Sequence, residues 1–128
     1  MNYLKILFLI AIGGAIGSVA RFIFSTSIHL LFDRFFPFGI LLTNVIGSFL
    51  MGYLSIVLFE ELPYAYELRS FTLIGILGGF TTFSTFSLDT INLLRTGHWI
   101  AAGLNVVLSV VICLFAAGFG IYLGRIIG

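Results

Sequence analysis

Four long apolar segments, separated by short polar connections, make up most of this 128-residue chain. They cover residues 4–32, 38–59, 70–94 and 99–127. Each is longer than the roughly 20 residues with which a helix crosses a bilayer, and none alternates polar with apolar residues as the strands of a membrane barrel do. Because 60% of the residues are apolar and only 9% are charged, little of the chain is left for a soluble part. The pattern predicts an all-α membrane protein of four transmembrane helices, with the lipid bilayer as its surroundings and a single domain over residues 1–128.

The composition excludes several classes of protein and of site. The formal net charge of +1 provides no basic surface, so no nucleic-acid partner is expected. Cys113 is the single cysteine, which excludes a disulfide within the chain, and we expect it to pack in its apolar run. The segments contain no carboxylate pair, no nucleophile with a base and no histidine cluster, so no enzyme activity is expected. Residues 3–12 are not interpreted as a removable signal peptide, because the apolar run continues to His29, beyond the roughly 7 to 15 residues of a signal core.

The basic residues give the chain almost no preferred orientation in the membrane. Among the basic residues at the chain ends and in the connections, Lys5, Arg69 and Arg125 fall on one side of the membrane, and Arg34 and Arg95 fall on the other. Since an excess of Lys and Arg sets orientation, a near tie suggests that the chain inserts both ways, so that inverted copies pair as an antiparallel homodimer. The alternative is an ordinary single topology decided by one or two charges.

Small residues recur four positions apart in three of the segments. The pairs are Gly13 with Gly17, Ser48 with Gly52, and Gly120 with Gly124. Small residues at this spacing let two helix backbones approach closely. These pairs therefore predict tight helix packing and no chemistry.

The third segment has a sequence that is unfavourable for one continuous helix. Adjacent glycines cost about 1 kcal/mol each relative to alanine, and the hydroxyls after Gly78 and Gly79 can cap a new helix, with Thr81 or Thr82 as the cap. We predict a helix from Phe71 to about Leu77, a break over residues 78–81, and a second helix to Leu94. Broken backbone in mid-membrane needs protein or a water-filled cavity around it, which places the break at the centre of the assembly. There, two carbonyls from each of two inverted chains could hold one small cation.

Aromatic rings and uncharged polar residues suggest a path for a small anion. Phe83 and Phe86 are three positions apart and share a helix face, and the edge of an aromatic ring is positive. Hydrogen-bonding side chains recur at helical spacing in the second and fourth segments: Thr43, Asn44, Ser48, Asn105 and Ser109. Plain packing of rings and hydrogen bonds between helices are the alternatives. Such donors, with few carboxylates, suit an anion that exchanges water for amides, hydroxyls and ring edges.

Three stretches closely resemble the Fluc (CrcB) family of fluoride channels. They are residues 14–17 with Arg21, residues 44–49 and, most specifically, residues 78–87. The resemblance covers essentially the whole chain. It implies a dual-topology homodimer of four-helix subunits in the bacterial inner membrane, with two antiparallel pores that export fluoride passively and a structural sodium ion at the centre. It also implies that fluoride export lowers cytoplasmic toxicity.

The resemblance also implies roles for single residues. Fluoride contacts fall on Phe83, Phe86 and Asn44. Other members of the polar track are Ser84, Thr85 and Ser109, to which we add Asn105 on its spacing alone. The sodium ion would be held by the backbone carbonyls of Gly78 and Thr81.

Arg21 and the function class leave alternatives open. Arg21 could snorkel to the interface, concentrate anions in a vestibule or pair with Asp89, and the vestibule is favoured. The main alternative function is a small dual-topology exporter of the multidrug type, which would need a carboxylate in the first segment, where there is no Asp or Glu. A subunit that assembles with others without conducting is the third possibility.

Overall fold

Helices account for nearly all of the chain that the structure, a computed structural model, describes, namely residues 2–32, 35–60 and 65–127. The helices are α1 Tyr3–Leu31, α2 Phe38–Glu60, α3 Ala65–Arg69, a π-helix at Ser70–Leu77, α4 Gly78–Phe80, α5 Phe83–Arg95 and α6 Trp99–Ile127. No strand occurs within these described ranges, and the predicted all-α architecture is confirmed. Arg34, which we assigned to one side of the membrane, lies outside the described residues.

Four helical stretches are long and apolar enough to cross a membrane. They are Tyr3–Leu31, Phe38–Leu58, Tyr66–Arg95 and Trp99–Ile127. The predicted segments match them to within four residues, and the largest difference is at the start of the third, which α3 extends. Large apolar side chains point outward on several helices, for example Phe22 at 70% and Ile100 at 82% exposure. Such a surface requires lipid or another protein against it.

Two of the helix ends are stabilised in recognisable ways. Asn2 caps α1 by accepting a hydrogen bond from the Lys5 N–H at 3.2 Å, which satisfies a donor that the first turn leaves unpaired. At the end of α5, Gly97 has a φ of +81°, and the His98 N–H donates to the Leu93 carbonyl at 2.8 Å. This glycine-based termination turns the chain sharply into α6.

Glycines bring α1 against the π-helix and α2 against α6. A Cβ on Gly17 would collide with the carbonyl oxygen of Ile76. A Cβ on Gly120 would collide in the same way with the carbonyl oxygen of Phe49. The same holds for Gly13, Gly52 and Gly124, whose Cβ atoms would meet the neighbouring helix at 3.1 Å or less. Close backbone packing through the predicted glycines is confirmed.

The third stretch changes conformation four times along its length, from α3 to the π-helix, to α4, to two extended residues and to α5. After the π-helix and α4, Thr81 (φ −87°, ψ 153°) and Thr82 (φ −151°, ψ 125°) are extended, and α5 begins at Phe83. Our prediction that residues 78–80 belong to the break was wrong, since they are helical. The helical hydrogen bonding continues past the glycines, because the N–H and the hydroxyl of Thr81 both donate to the Leu77 carbonyl, at 3.0 and 2.9 Å.

Candidate functional site

A cavity of about 420 Å³ lies between α2, the extended residues Thr81 and Thr82, α5 and α6. Its lining includes Asn44, Phe83, Phe86 and Ser109 among the residues that the sequence singled out. Ser84, Thr85 and Asn105 lie outside this lining, as do Arg21 and Gly78. The fold therefore brings the two aromatic rings together with the Asn44 amide and the Ser48 hydroxyl of α2 and the Ser109 hydroxyl of α6.

Asn44 is joined to Thr82 by two hydrogen bonds. Its amide nitrogen donates to the Thr82 carbonyl at 3.0 Å, and its amide oxygen accepts from the Thr82 N–H at 2.9 Å. The side chain thus replaces the backbone partners that an extended residue would have in a sheet. A carboxamide nitrogen carries two N–H groups, so one remains for another acceptor in the cavity.

Phe83 and Phe86 form a tilted pair at the start of α5. Their ring centroids are 5.3 Å apart and their planes meet at 50°. Phe86 is buried at 9% exposure, whereas Phe83 is 76% exposed in the single chain. Phe86 therefore lies in the protein interior, and Phe83 lies at the open side of the cavity.

The hydroxyls after the extended residues belong to the cap of α5. The Thr82 hydroxyl accepts from the Thr85 N–H at 3.2 Å and lies 3.1 Å from the Ser84 hydroxyl. It also lies 3.3 Å from the Thr85 hydroxyl. These contacts show that Thr82, one of the two predicted caps, performs that role, and that Ser84 and Thr85 are held beside it.

Asn105 is buried at 2% exposure between α6 and α5. Its amide nitrogen donates to the Thr90 hydroxyl at 2.9 Å, and its amide oxygen accepts from the Ser109 hydroxyl at 3.5 Å. Thr90 in turn donates to the Phe86 carbonyl at 2.9 Å. We did not identify Thr90 as a site residue from the sequence. Its position four residues after Phe86, on the same helix face, is the signal that would have identified it.

Arg21 binds the end of α4. Its Nη1 donates to the Gly79 carbonyl at 3.1 Å, and among the described residues no ion pair joins it to Asp89. Pairing with Asp89, one of the three alternatives for Arg21, is therefore not observed among the described residues. The physical reason is that the last carbonyls of a helix lack intrahelical donors and carry partial negative charge, which attracts a cation.

The backbone around the extended residues is suited to a small cation. In a continuous helix the Gly78 carbonyl would accept from the Thr82 N–H, but that N–H donates to Asn44. The Thr81 carbonyl would accept from the Thr85 N–H, but that N–H donates to the Thr82 hydroxyl. Both carbonyls thus lose their helical partners, and oxygen atoms of this kind are ligands for hard cations.

The sequence was compared with known proteins. The profile of the family described as "CrcB-like protein, Camphor Resistance (CrcB)" matches residues 8–121. A protein of Magnetococcus marinus called "Fluoride-specific ion channel FluC" is 46% identical over 92% of this chain and 96% of its own length. A protein of the same name from Coxiella burnetii is 48% identical over 91% of this chain and 95% of its own length. A third, from Methylococcus capsulatus, is 50% identical over 93% of this chain, which spans only 52% of that longer protein.

These relatives are named as ion channels and not as enzymes, which agrees with the expectation of no enzyme activity. Four apolar helices and this kinship together make the chain a multi-pass membrane protein. The match covers the cavity, the extended residues and the glycine contacts except that of Gly124. The chain belongs to the CrcB-like family.

Proposed function

We propose that this chain is a fluoride-specific ion channel that lets fluoride leave the cell passively, down its gradient, across the bacterial inner membrane. The printed names of the relatives and the extent of their similarity support the ion and the class of protein. Passive export lowers the fluoride that accumulates when hydrogen fluoride enters from an acidic exterior and dissociates in a neutral cytoplasm.

The observation that carries this proposal is the chemistry of the first cavity, which combines Phe83 and Phe86 with Asn44 and Ser109. Ring edges, an amide N–H and a hydroxyl all present partial positive charge to a small anion that has lost water. Among the described residues that line it there is no Lys, Arg, Asp or Glu. Conduction needs binding that is strong enough to admit the ion and weak enough to release it, and uncharged donors meet both needs.

The working assembly is an antiparallel homodimer with two pores. In one chain Phe83 is 76% exposed at the open side of the cavity, so a second chain is needed to close the path. An inverted copy is consistent with the near tie in basic residues. It also brings the two pairs of extended residues to a shared axis, within the membrane, where protein encloses the irregular backbone.

At that axis the carbonyls of Gly78 and Thr81 from both chains would hold one sodium ion. The two carbonyls lack helical donors because Asn44 and the Thr82 hydroxyl take the N–H groups. Asn44 therefore has two roles in this proposal, one toward fluoride and one in setting the carbonyls free. A bound cation would supply positive charge that balances the carbonyl dipoles where the helix is interrupted.

Fluoride efflux from liposomes tests the proposed function. Purified protein is reconstituted into liposomes loaded with potassium fluoride, and efflux is followed with a fluoride electrode after valinomycin is added. We expect efflux well above protein-free liposomes without any proton gradient, and a loss of about tenfold or more for Phe83→Ile, because removing one oriented interaction at the ion path costs at least about 1.4 kcal/mol.

Phe8→Ile is the matched control, since Phe8 is an exposed phenylalanine of α1 outside the cavity. It should conduct like the natural protein. Efflux that requires a proton gradient would favour an exporter, and no fluoride efflux at all would overturn the proposal.

A further inference from the structure

A second cavity, of about 320 Å³, lies at the other end of α5. It is formed where α1 and α5 end and where α2 and α6 begin. Its polar lining is contributed by His29 of α1, Asp89, Asn92 and Thr96 around α5, and His98 before α6. Three of these side chains titrate, and the fluoride site described above uses none of them.

Buried polar groups lead from the first cavity to Thr90 on α5, the residue beside Asp89. Ser109 lines the first cavity and donates to Asn105, which donates to Thr90. Thr90 is next in sequence to Asp89, which lines the second cavity. Given the proposed function, on which this step rests, the second cavity lies at the end of α5 away from the phenylalanine pair, where an ion would enter or leave.

His29 has a ring nitrogen without a hydrogen-bond partner among the described residues. Its Nδ1 is buried and has no hydrogen-bond partner. The other edge of the ring packs against Gly39, where a Cβ would lie 2.7 Å from Nε2. A buried polar atom without a partner is costly and rare. When the ring is protonated, this atom becomes an N–H that needs an acceptor.

His98 is held so that protonation creates a new donor. The Thr96 hydroxyl has one proton, which it donates to the Asn92 or Leu93 carbonyl at 2.9 or 3.2 Å. With that proton engaged, its oxygen accepts from Nδ1–H of His98, 2.8 Å away, in the tautomer that carries the ring proton on Nδ1. The neutral ring then has its lone pair on Nε2, and protonation converts that acceptor into a second N–H donor.

The net charge of the second cavity changes sign when both histidines become protonated. With both rings neutral, ionised Asp89 leaves one negative charge, which repels an anion. With both rings protonated, the same three groups carry one positive charge. Histidine side chains serve proteins as charge switches of this kind.

The other elements that line the cavity present no further titratable group among the described residues. Phe35 and Pro37 come from the connection just before α2, and Leu93 comes from α5. Asp33 and Arg34 of the first connection lie outside the described residues. A metal ion is disfavoured as the occupant, since no three His, Cys, Asp or Glu side chains in the described part of the chain are grouped to hold one.

We propose that the second cavity is an anion site that binds fluoride when His29 and His98 are protonated, and that it makes fluoride flux rise as the pH falls. The anion takes the Nε2–H of His98 as a donor, protonated His29 attracts it by charge, and Asp89 opposes it by charge. Because the site binds the transported ion, its charge changes the rates at which fluoride enters and leaves the protein, and these are the steps on which local charge has its largest effect.

Fluoride efflux at equal pH on both sides of the membrane tests this site. Efflux is compared at about pH 5.5 and about pH 7.5, after subtraction of the leak from protein-free liposomes. We expect the natural protein to conduct about tenfold faster at the lower pH. The double variant His29→Gln, His98→Gln should lose this ratio, and Glu67→Gln, at the other end of the molecule, should keep it. A ratio near one for the natural protein overturns the site, whereas no efflux at either pH overturns the proposed function instead.

Nuclear magnetic resonance gives a second test that does not depend on conduction. The protein has only two histidines, so selective ¹⁵N labelling of histidine reports both rings, and His98→Gln assigns them. Sodium fluoride should raise the pH midpoint of each imidazole relative to sodium gluconate at equal ionic strength, because an anion that prefers the protonated rings must favour protonation. Midpoints that are the same in both salts would overturn the proposal even if His29→Gln does not fold.

Discussion

At the scale of single residues, Asn44 is the side chain with the largest expected effect on stability. Asn44→Ala removes both partners of the Thr82 backbone, and each unpaired buried group costs about 1 to 3 kcal/mol. We expect a loss of several kcal/mol in the free energy of unfolding, together with a loss of fluoride efflux. Thermal unfolding in detergent measures the first. Thr26→Ala, at an exposed position of α1, is the control, and an Asn44→Ala protein as stable as this control would show that the pairing contributes nothing.

The residue types of the first cavity could be identified from the sequence, but several of their contacts could not. Phe83, Phe86, Asn44 and Ser109 converge because helical spacing places each on a predictable face. The partner of Asn44 depends on where the extended backbone falls, which only the packed chain decides. Arg21 likewise appeared free to snorkel or pair, because its acceptor, the Gly79 carbonyl, is a backbone atom without any signature in the sequence.

At the scale of the helices, the contact between α1 and the π-helix depends on Gly17. In Gly17→Ala the new Cβ would collide with the backbone oxygen of Ile76, which cannot move without shifting the π-helix. We expect destabilisation of more than about 2 kcal/mol by overpacking, at the upper part of the usual range. Gly14→Ala is the matched control on the same helix, because its Cβ would meet no atom within 4 Å, and removing a helical glycine favours the helix by about 1 kcal/mol.

Thermal unfolding of the two alanine variants separates these effects. If Gly14→Ala and Gly17→Ala unfold alike, close approach of the backbones does not hold the two helices together. The same contact explains why the π-helix could not be predicted from the sequence. The wider turns of the π-helix place its carbonyls against α1, so tertiary packing causes them. The glycine spacing that permits this close approach, by contrast, is visible in the sequence.

At the scale of the whole molecule, the four helices and their order follow from hydropathy, while the orientation of the chain depends on very few charges. Lys5 and Glu67 form an exposed ion pair with a distance of 3.1 Å, and such pairs contribute little to stability. Charges at the ends of the helices can therefore be exchanged with small effect on the fold. Orientation should respond strongly to the same exchanges, because it follows from the difference between two nearly equal sets of basic residues.

Orientation mutants test the antiparallel assembly directly. Glu67→Lys with Arg95→Gln leaves four basic residues on the side of Lys5 and only Arg34 on the other, whereas Lys5→Gln with Arg69→Gln and Arg125→Gln leaves none on that side against Arg34 and Arg95. A reporter on the carboxyl terminus should be found on both sides for the natural chain and mainly on opposite sides for the two variants. Each variant expressed alone should fail to conduct fluoride, since inverted partners are missing, and expression of both together should restore efflux. Conduction by either variant alone, with its reporter on one side, would mean that the pores form between chains of the same orientation.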